Sequence, residues 1–376
     1  MEWIVARWLT YVATLVITGA CAVGMLLLPR ATVDEETRRA VMREAARVGI
    51  GAAVLMIPAS LLRLADQVWA LRSAGDPLMP SVAALLLSTM WGTGFLIQCA
   101  ALLIAGVGLV LAARTPGARL SWIVAALGAA GLCATPALQG HAIGSEEFTA
   151  LAVAADIAHV LGGSLWLGTL GVIGWLGVTL PNADGVLTDD RAARVDARLR
   201  VLVPLVPPVA LPGAALLIGS GVIASVLHLR AVPDLWRDEW GRFVLAKTIA
   251  ALAIVMLGAL NWRRLGPRMA RGSDTASMRK SLLAELMIAL LILIITAVLV
   301  VTPLPGESET TLRDRLESQQ LGFRRSVPAI FEMLALRDRK QYARPIYHDA
   351  FARRSPDAVP DDADIARLTT RLSEAL

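Results

Sequence analysis

Apolar and polar positions along the first 305 residues sort into long apolar runs separated by short breaks rich in Pro, Gly and charge. Eight such runs occur, over residues 5–28, 48–71, 82–112, 120–139, 150–180, 200–228, 241–262 and 281–302. A helix needs about 20 apolar residues to cross a hydrocarbon core of about 30 Å, so each run is long enough for one transmembrane helix. The fifth exceeds what one crossing requires and must tilt or project into the interfacial layer. No Asn-Gly turn and no strict alternation marks strands, which argues against a closed β-barrel. The first run continues past Cys21 to Leu28 and ends at Pro29-Arg30 without a small-residue cleavage site, so it reads as a retained helix. The pattern predicts an all-α polytopic membrane protein. A bundle of about eight transmembrane helices occupies residues 1–305, and a polar, partly helical extramembrane tail occupies 306–376.

Composition agrees, since 56% of the 376 residues are hydrophobic and 18% are charged, a balance suited to lipid rather than to a soluble core. The net charge of +5 does not point to nucleic acid, because the basic residues cluster in alternate loops. Arg30 to Arg47, Arg114 with Arg119, Arg191 to Arg200 and Arg263 to Lys280 follow the first, third, fifth and seventh runs, which predicts those loops to be cytoplasmic and both termini to face outward. Three cysteines, Cys21, Cys99 and Cys133, fall in separate apolar runs without C-x-x-C spacing, so neither a disulfide framework nor a zinc site is expected. No Walker motif, nucleophile elbow, H-E-x-x-H or Rossmann fingerprint occurs, and the chain does not read as an enzyme.

An ionisable group in hydrocarbon costs roughly 2.5–3.5 kcal/mol on insertion scales, so each needs a partner or a purpose. With the orientation above, such groups gather on the outer side: Arg63, Asp66 and Gln67 in the second helix, His141 beyond the fourth, Asp156 and His159 in the fifth, His228 ending the sixth and Lys247 in the seventh. On the fifth helix the spacing puts Asp156, His159, Gly163 and Trp166 on one face, with Gly162 and Gly163 permitting close approach of another helix or a small cavity. An imidazole there suits a metal ion, with Asp156 to orient the ring; it equally suits a plain hydrogen bond to Asp156 or to a neighbouring helix. His141 can meet His159 across the short hairpin that carries Glu146 and Glu147. Met79 and Met90 offer thioethers that suit monovalent copper, and are equally ordinary packing residues. Arg63 can pair with Asp66 and Lys247 with Asp156, while Glu285, Asn261 and Arg263 form an inner-face structural cluster.

Several strings taken together resemble the copper resistance D family (CopD/PcoD-like): Gly140-His141-Ala142, the stretch Asp156 to Gly168, the run Trp240 to Lys247, Ala259-Leu260-Asn261-Trp262-Arg263-Arg264-Leu265-Gly266-Pro267, and Glu285 opening the last helix before Thr302-Pro303. Thr89-Met90-Trp91-Gly92 is similar as well, although the Arg that often follows it is Gln98 here, and the usual Trp-x-Gly-Gly stands as Trp166-Leu167-Gly168-Thr169. The resemblance covers about residues 1–305 and leaves the tail unexplained. It implies a multi-span protein of the bacterial cytoplasmic membrane that takes copper from the periplasm or works with periplasmic copper carriers. It also implies that His141, His159 and Trp166 match the family pattern.

The leading expectation is therefore copper transport or resistance. Copper is captured at the outer mouth by His141 and His159, with Met79 or Met90, and Asp156, Trp166, Lys247, Asp66 and His228 line the surroundings or the pathway. The alternatives are an electron-transfer protein with haem between two histidines, and a membrane anchor for the tail, whose Ile365, Leu368, Leu372 and Leu376 share one helical face.

Overall fold

The computed structural model describes residues 2–30, 34–72, 77–139, 149–179, 200–229, 231–270, 275–300 and 302. The tail over 306–376, with its amphipathic face, lies outside them. The described helices are α1 (Glu2–Ala22), α2 (Glu35–Leu71), α3 (Leu78–Ser88), α4 (Met90–Arg114), α5 (Arg119–Gln139), α6 (Thr149–Gly163), α7 (Thr169–Thr179), α8 (Pro207–His228), α9 (Asp234–Arg237), α10 (Glu239–Leu260), α11 (Gly266–Ala270) and α12 (Thr275–Leu299). Wide i→i+5 turns at Val23–Leu27, Ser164–Gly168 and Asn261–Leu265 extend α1, join α6 to α7 and join α10 to α11. Among the described residues there is no strand, and eight helices are long and apolar enough to cross a membrane. The protein is an all-α polytopic membrane protein, as the apolar runs imply.

Two expected boundaries shift for local reasons. The charged segment after Pro29 is helical from Glu35, so α2 begins well before the apolar run at 48. Asp34 starts it by accepting the Thr37 backbone N–H at 2.8 Å, which holds its carboxyl below the usual range, and Glu35 pairs with Arg38 and Arg39 at 3.3 and 2.8 Å one turn on. The third run is not one helix. Thr89 is extended at φ −120° and ψ 150°, ending α3, and its hydroxyl accepts the Gly92 N–H at 2.9 Å to cap α4. A side chain on Gly92 would run into the Leu85 carbonyl, so this Thr-x-x-Gly string is a helix start that also lets the chain turn tightly.

The described chain divides into two compact units. The larger comprises residues 1–63 and 97–305, and its core is built from Ile17, Leu27, Leu109, Trp122, Leu132, Ile173, Leu176 and Ile254. Around it Leu62, Leu103, Leu120, Val226, Met256 and Met287 are exposed, the outward apolar surface that lipid requires. Hydroxyls within the apolar helices are satisfied locally: Thr10 donates to Ala6 O and Thr14 to Thr10 O, four residues back. In the other unit, which contains residues 64–96, Val68, Ala84 and Leu85 are buried with Leu64, Val82, Ala83 and Trp91 around them, and Trp91 stacks on Phe95 with centroids 5.3 Å apart.

Association of helices in lipid rests on close packing rather than on hydrophobic burial. The tightest crossing that bears on the polar residues is α6 against α8. A Cβ on Gly162 would come within 2.5 Å of Leu217 N and 2.6 Å of Gly213 O, whereas one on Gly163 would meet only Leu217 Cδ1 at 3.5 Å. Gly162→Ala should therefore destabilise the purified protein by about 1–3 kcal/mol, read as a fall in detergent unfolding midpoint, while Gly163→Ala should be neutral or mildly stabilising.

Candidate functional site

That crossing carries His159. The ring leaves α6 toward α8, where Gly219-Ser220-Gly221 provides room: a Cβ on Gly221 would meet His159 Cε1 at 3.1 Å. Nδ1 lies 3.0 Å from the Leu217 carbonyl oxygen, an acceptor only, so Nδ1 carries the proton and donates it. Ser220 Oγ stands 3.3 Å from the same nitrogen and donates its own proton to Leu216 O at 2.6 Å. Nε2 is then the lone-pair nitrogen, and Lys247 Nζ of α10 donates to it at 3.2 Å. The Asp156 carboxylate, one turn before His159 on α6, acts on the Lys247 charge, so an anion and an imidazole from α6 and a cation from α10 form one half-buried group.

Two features of this group differ from the expected face. The ring's hydrogen bonds run to the Leu217 carbonyl and Ser220 of the neighbouring helix, and Lys247 meets His159 directly as well as feeling Asp156. Trp166 lies in the wide turn Ser164–Gly168, is 8% exposed and packs in the main core. The close-approach glycine is Gly162, with Gly163 in ordinary contact.

His141, Glu146 and Glu147 lie outside the described residues, and so does the His228 side chain at the end of α8. Met79 is 74% exposed and Asp66 half-buried, both in the unit containing residues 64–96; Met90 opens α4 there, its side chain outside the described residues. Among the described residues no three His, Cys, Asp or Glu side chains gather as a metal site. The haem reading gains no observation, since His159 Nε2 faces an ammonium rather than a second imidazole.

The sequence reading passed over Ser220, Leu217 and Gly221, for which the small-residue string in α8 was the available signal. It also passed over a polar chain in the same unit. Arg63 Nη2 donates to Gln139 Oε1 at 2.6 Å, Gln139 Nε2 to Gln98 Oε1 at 3.3 Å, and Gln98 Nε2 to Ser60 Oγ at 2.8 Å. Gln98, which stands where the resembling family often has Arg, is thus a 1% exposed link that ties α2, α4 and α5 together. The three thiols are free: Cys99 is exposed, while Cys21 and Cys133 are buried, the latter 3.5 Å from Thr18 Oγ1 and 3.8 Å from Ser164 Oγ.

Known proteins place these features in context. Residues 207–299, which hold Ser220, Lys247, Asn261 and Glu285, match the family model described as copper resistance protein D. Residues 1–150 match the model described as copper resistance protein D-like, N-terminal domain. The copper transport protein CutJ of Bacillus subtilis (strain 168) is 24% identical over 278 residues, covering 73% of this chain and 47% of that protein, so the chain spans about half the length of this relative. No solved structure matches. With the two models matching residues 1–150 and 207–299, the chain belongs to the copper resistance protein D family.

Proposed function

We propose that this protein moves copper across a bacterial cytoplasmic membrane, taking it from the periplasmic side, with His159 Nε2 as the atom that accepts the ion. The observation that carries this reading is the state of the His159 ring. Histidines that bind metals almost always donate their other ring N–H to a carbonyl or carboxylate, which fixes the tautomer and raises the basicity of the ligating nitrogen. Here Nδ1 donates to Leu217 O, leaving Nε2 as the ligating atom. Family membership and the relative named as a copper transport protein support the cargo; the basic residues of alternate loops support the orientation, with both termini outside. His141 is the second donor we assign to the mouth, and periplasmic copper carriers are the partners this direction calls for.

Lys247 gives the site a single-occupant character. Its ammonium uses the lone pair that copper needs, so the ion binds only as Lys247 withdraws. Asp156 then remains near the site as a counter-charge. The lysine thereby acts as a tethered stand-in for the cargo, keeping Nε2 engaged when no ion is present.

Three outcomes are expected of purified protein titrated with monovalent copper against a chromogenic chelator. His159→Ala should lower affinity by at least about tenfold, and Ser220→Ala by up to about tenfold, since it frees the ring without removing a ligand. Lys247→Met should raise affinity by about tenfold or more, the worth of one charge-assisted hydrogen bond at Nε2. Wild-type protein without copper binding above background, together with cells whose copper content ignores His159→Ala, would defeat the copper reading. Loss of binding in Lys247→Met would defeat the stand-in role.

A further inference from the structure

A second buried polar cluster lies at the other end of α10. Asn261 follows Lys247 by fourteen residues, about 21 Å along the axis at 1.5 Å per residue. Its Nδ2 donates to Glu285 Oε1 of α12 at 2.5 Å, and Glu285 is 2% exposed. Two further polar atoms here are buried without a hydrogen-bond partner, Asn261 Oδ1 and Ser281 Oγ. Ser281 precedes Glu285 by one turn on α12, so the two residues share one face of that helix.

The surroundings offer Glu285 little compensation for a negative charge. From α10 and its continuation come Arg263, Arg264 and Arg268, all exposed; from α12 come Arg279, half-buried, and Lys280, exposed. α7, which also packs on α12, carries no titratable residue, and α1 brings Arg7, Tyr11 and Cys21, with its Trp8 Nε1 donating to Leu290 O beyond the Glu285 level. Among these groups the Asn261 amide is the one that acts on the Glu285 carboxyl. An ionised carboxylate presents about four acceptor positions, and one amide N–H meets one of them. A carboxylic acid asks for less: its carbonyl oxygen accepts from Asn261, and its O–H has the partnerless Ser281 oxygen one turn away. The cost of a bare charge in hydrocarbon points the same way.

We propose that Glu285, hydrogen-bonded to Asn261 and one turn from the partnerless Ser281 hydroxyl, is a proton-loading site inside the membrane. It carries a proton at neutral pH and exchanges it with the aqueous phase at the α11 end: water-borne hydronium delivers the proton, and release returns it to water and leaves the carboxylate on Asn261. Nothing in this step uses copper or His159, so the site stands or falls independently of the cargo.

Infrared difference spectra of the full-length protein in lipid, wild type against Glu285→Gln, in potassium and in sodium chloride, test it. The carbonyl stretch of a protonated carboxylic acid should be present at neutral pH in the wild type and lost in Glu285→Gln. It should move to higher wavenumber in Asn261→Ala, where that carbonyl loses its donor, and ignore the exchange of potassium for sodium. Carboxylate bands alone at neutral pH would overturn the proposal. A carboxylate signal that follows sodium would overturn it in favour of a metal-ion site. Should Glu285→Gln fail to fold, the Asn261→Ala shift decides, an unmoved band counting against Glu285.

Discussion

A polar or ionisable group inside hydrocarbon has no water to fall back on, so its partner must come from another part of the chain. That constraint organises the interior of this protein. His159 reaches across to a backbone carbonyl of α8 and an ammonium of α10; Gln98 joins Ser60 to Gln139, which takes up Arg63; Glu285 takes the amide of Asn261. Each bond draws on a part of the chain remote in sequence, and small residues let helices close in. Gly162 against Gly213 is the clearest case, for without that approach Leu217 would not stand beside the imidazole.

Helix number and type were legible because a span must be about 20 apolar residues long and the breaks carry charge. What escaped had local causes. The charged stretch after Pro29 looks like a loop to hydropathy, yet Glu35 pairs with Arg38 and Arg39 along a helix whose Val41, Met42, Ala45 and Ala46 are buried in the main core. The run over 82–112 is continuous in hydropathy but interrupted at Thr89, whose hydroxyl competes for backbone donors. The candidate site was half legible: His159, Asp156 and Lys247 stand out as charges among apolar neighbours. Their partners do not, since a backbone carbonyl such as that of Leu217 has no signature in a sequence.

On the copper reading proposed above, the His159 group is a site kept filled. A bare imidazole facing a bare carboxylate in low dielectric would draw in any available cation; an ammonium on Nε2 answers both and leaves selectivity to ions that bind nitrogen strongly enough to displace it. Copper sits high among the first-row metals in affinity for imidazole, while sodium or magnesium, which favour oxygen ligands, gain little by evicting a lysine.

Lys247 of α10 and Asn261, which opens the wide turn directly continuing it, also lie on one unbroken helical run. Fourteen residues are close to four helical turns, so the two side chains leave α10 in nearly the same direction, one toward α6 and the other toward α12. A rigid rotation of that helix large enough to withdraw the lysine from Nε2 must swing the asparagine away from Glu285 by a similar angle. The mechanical state of a single helix is thereby read at both of its ends.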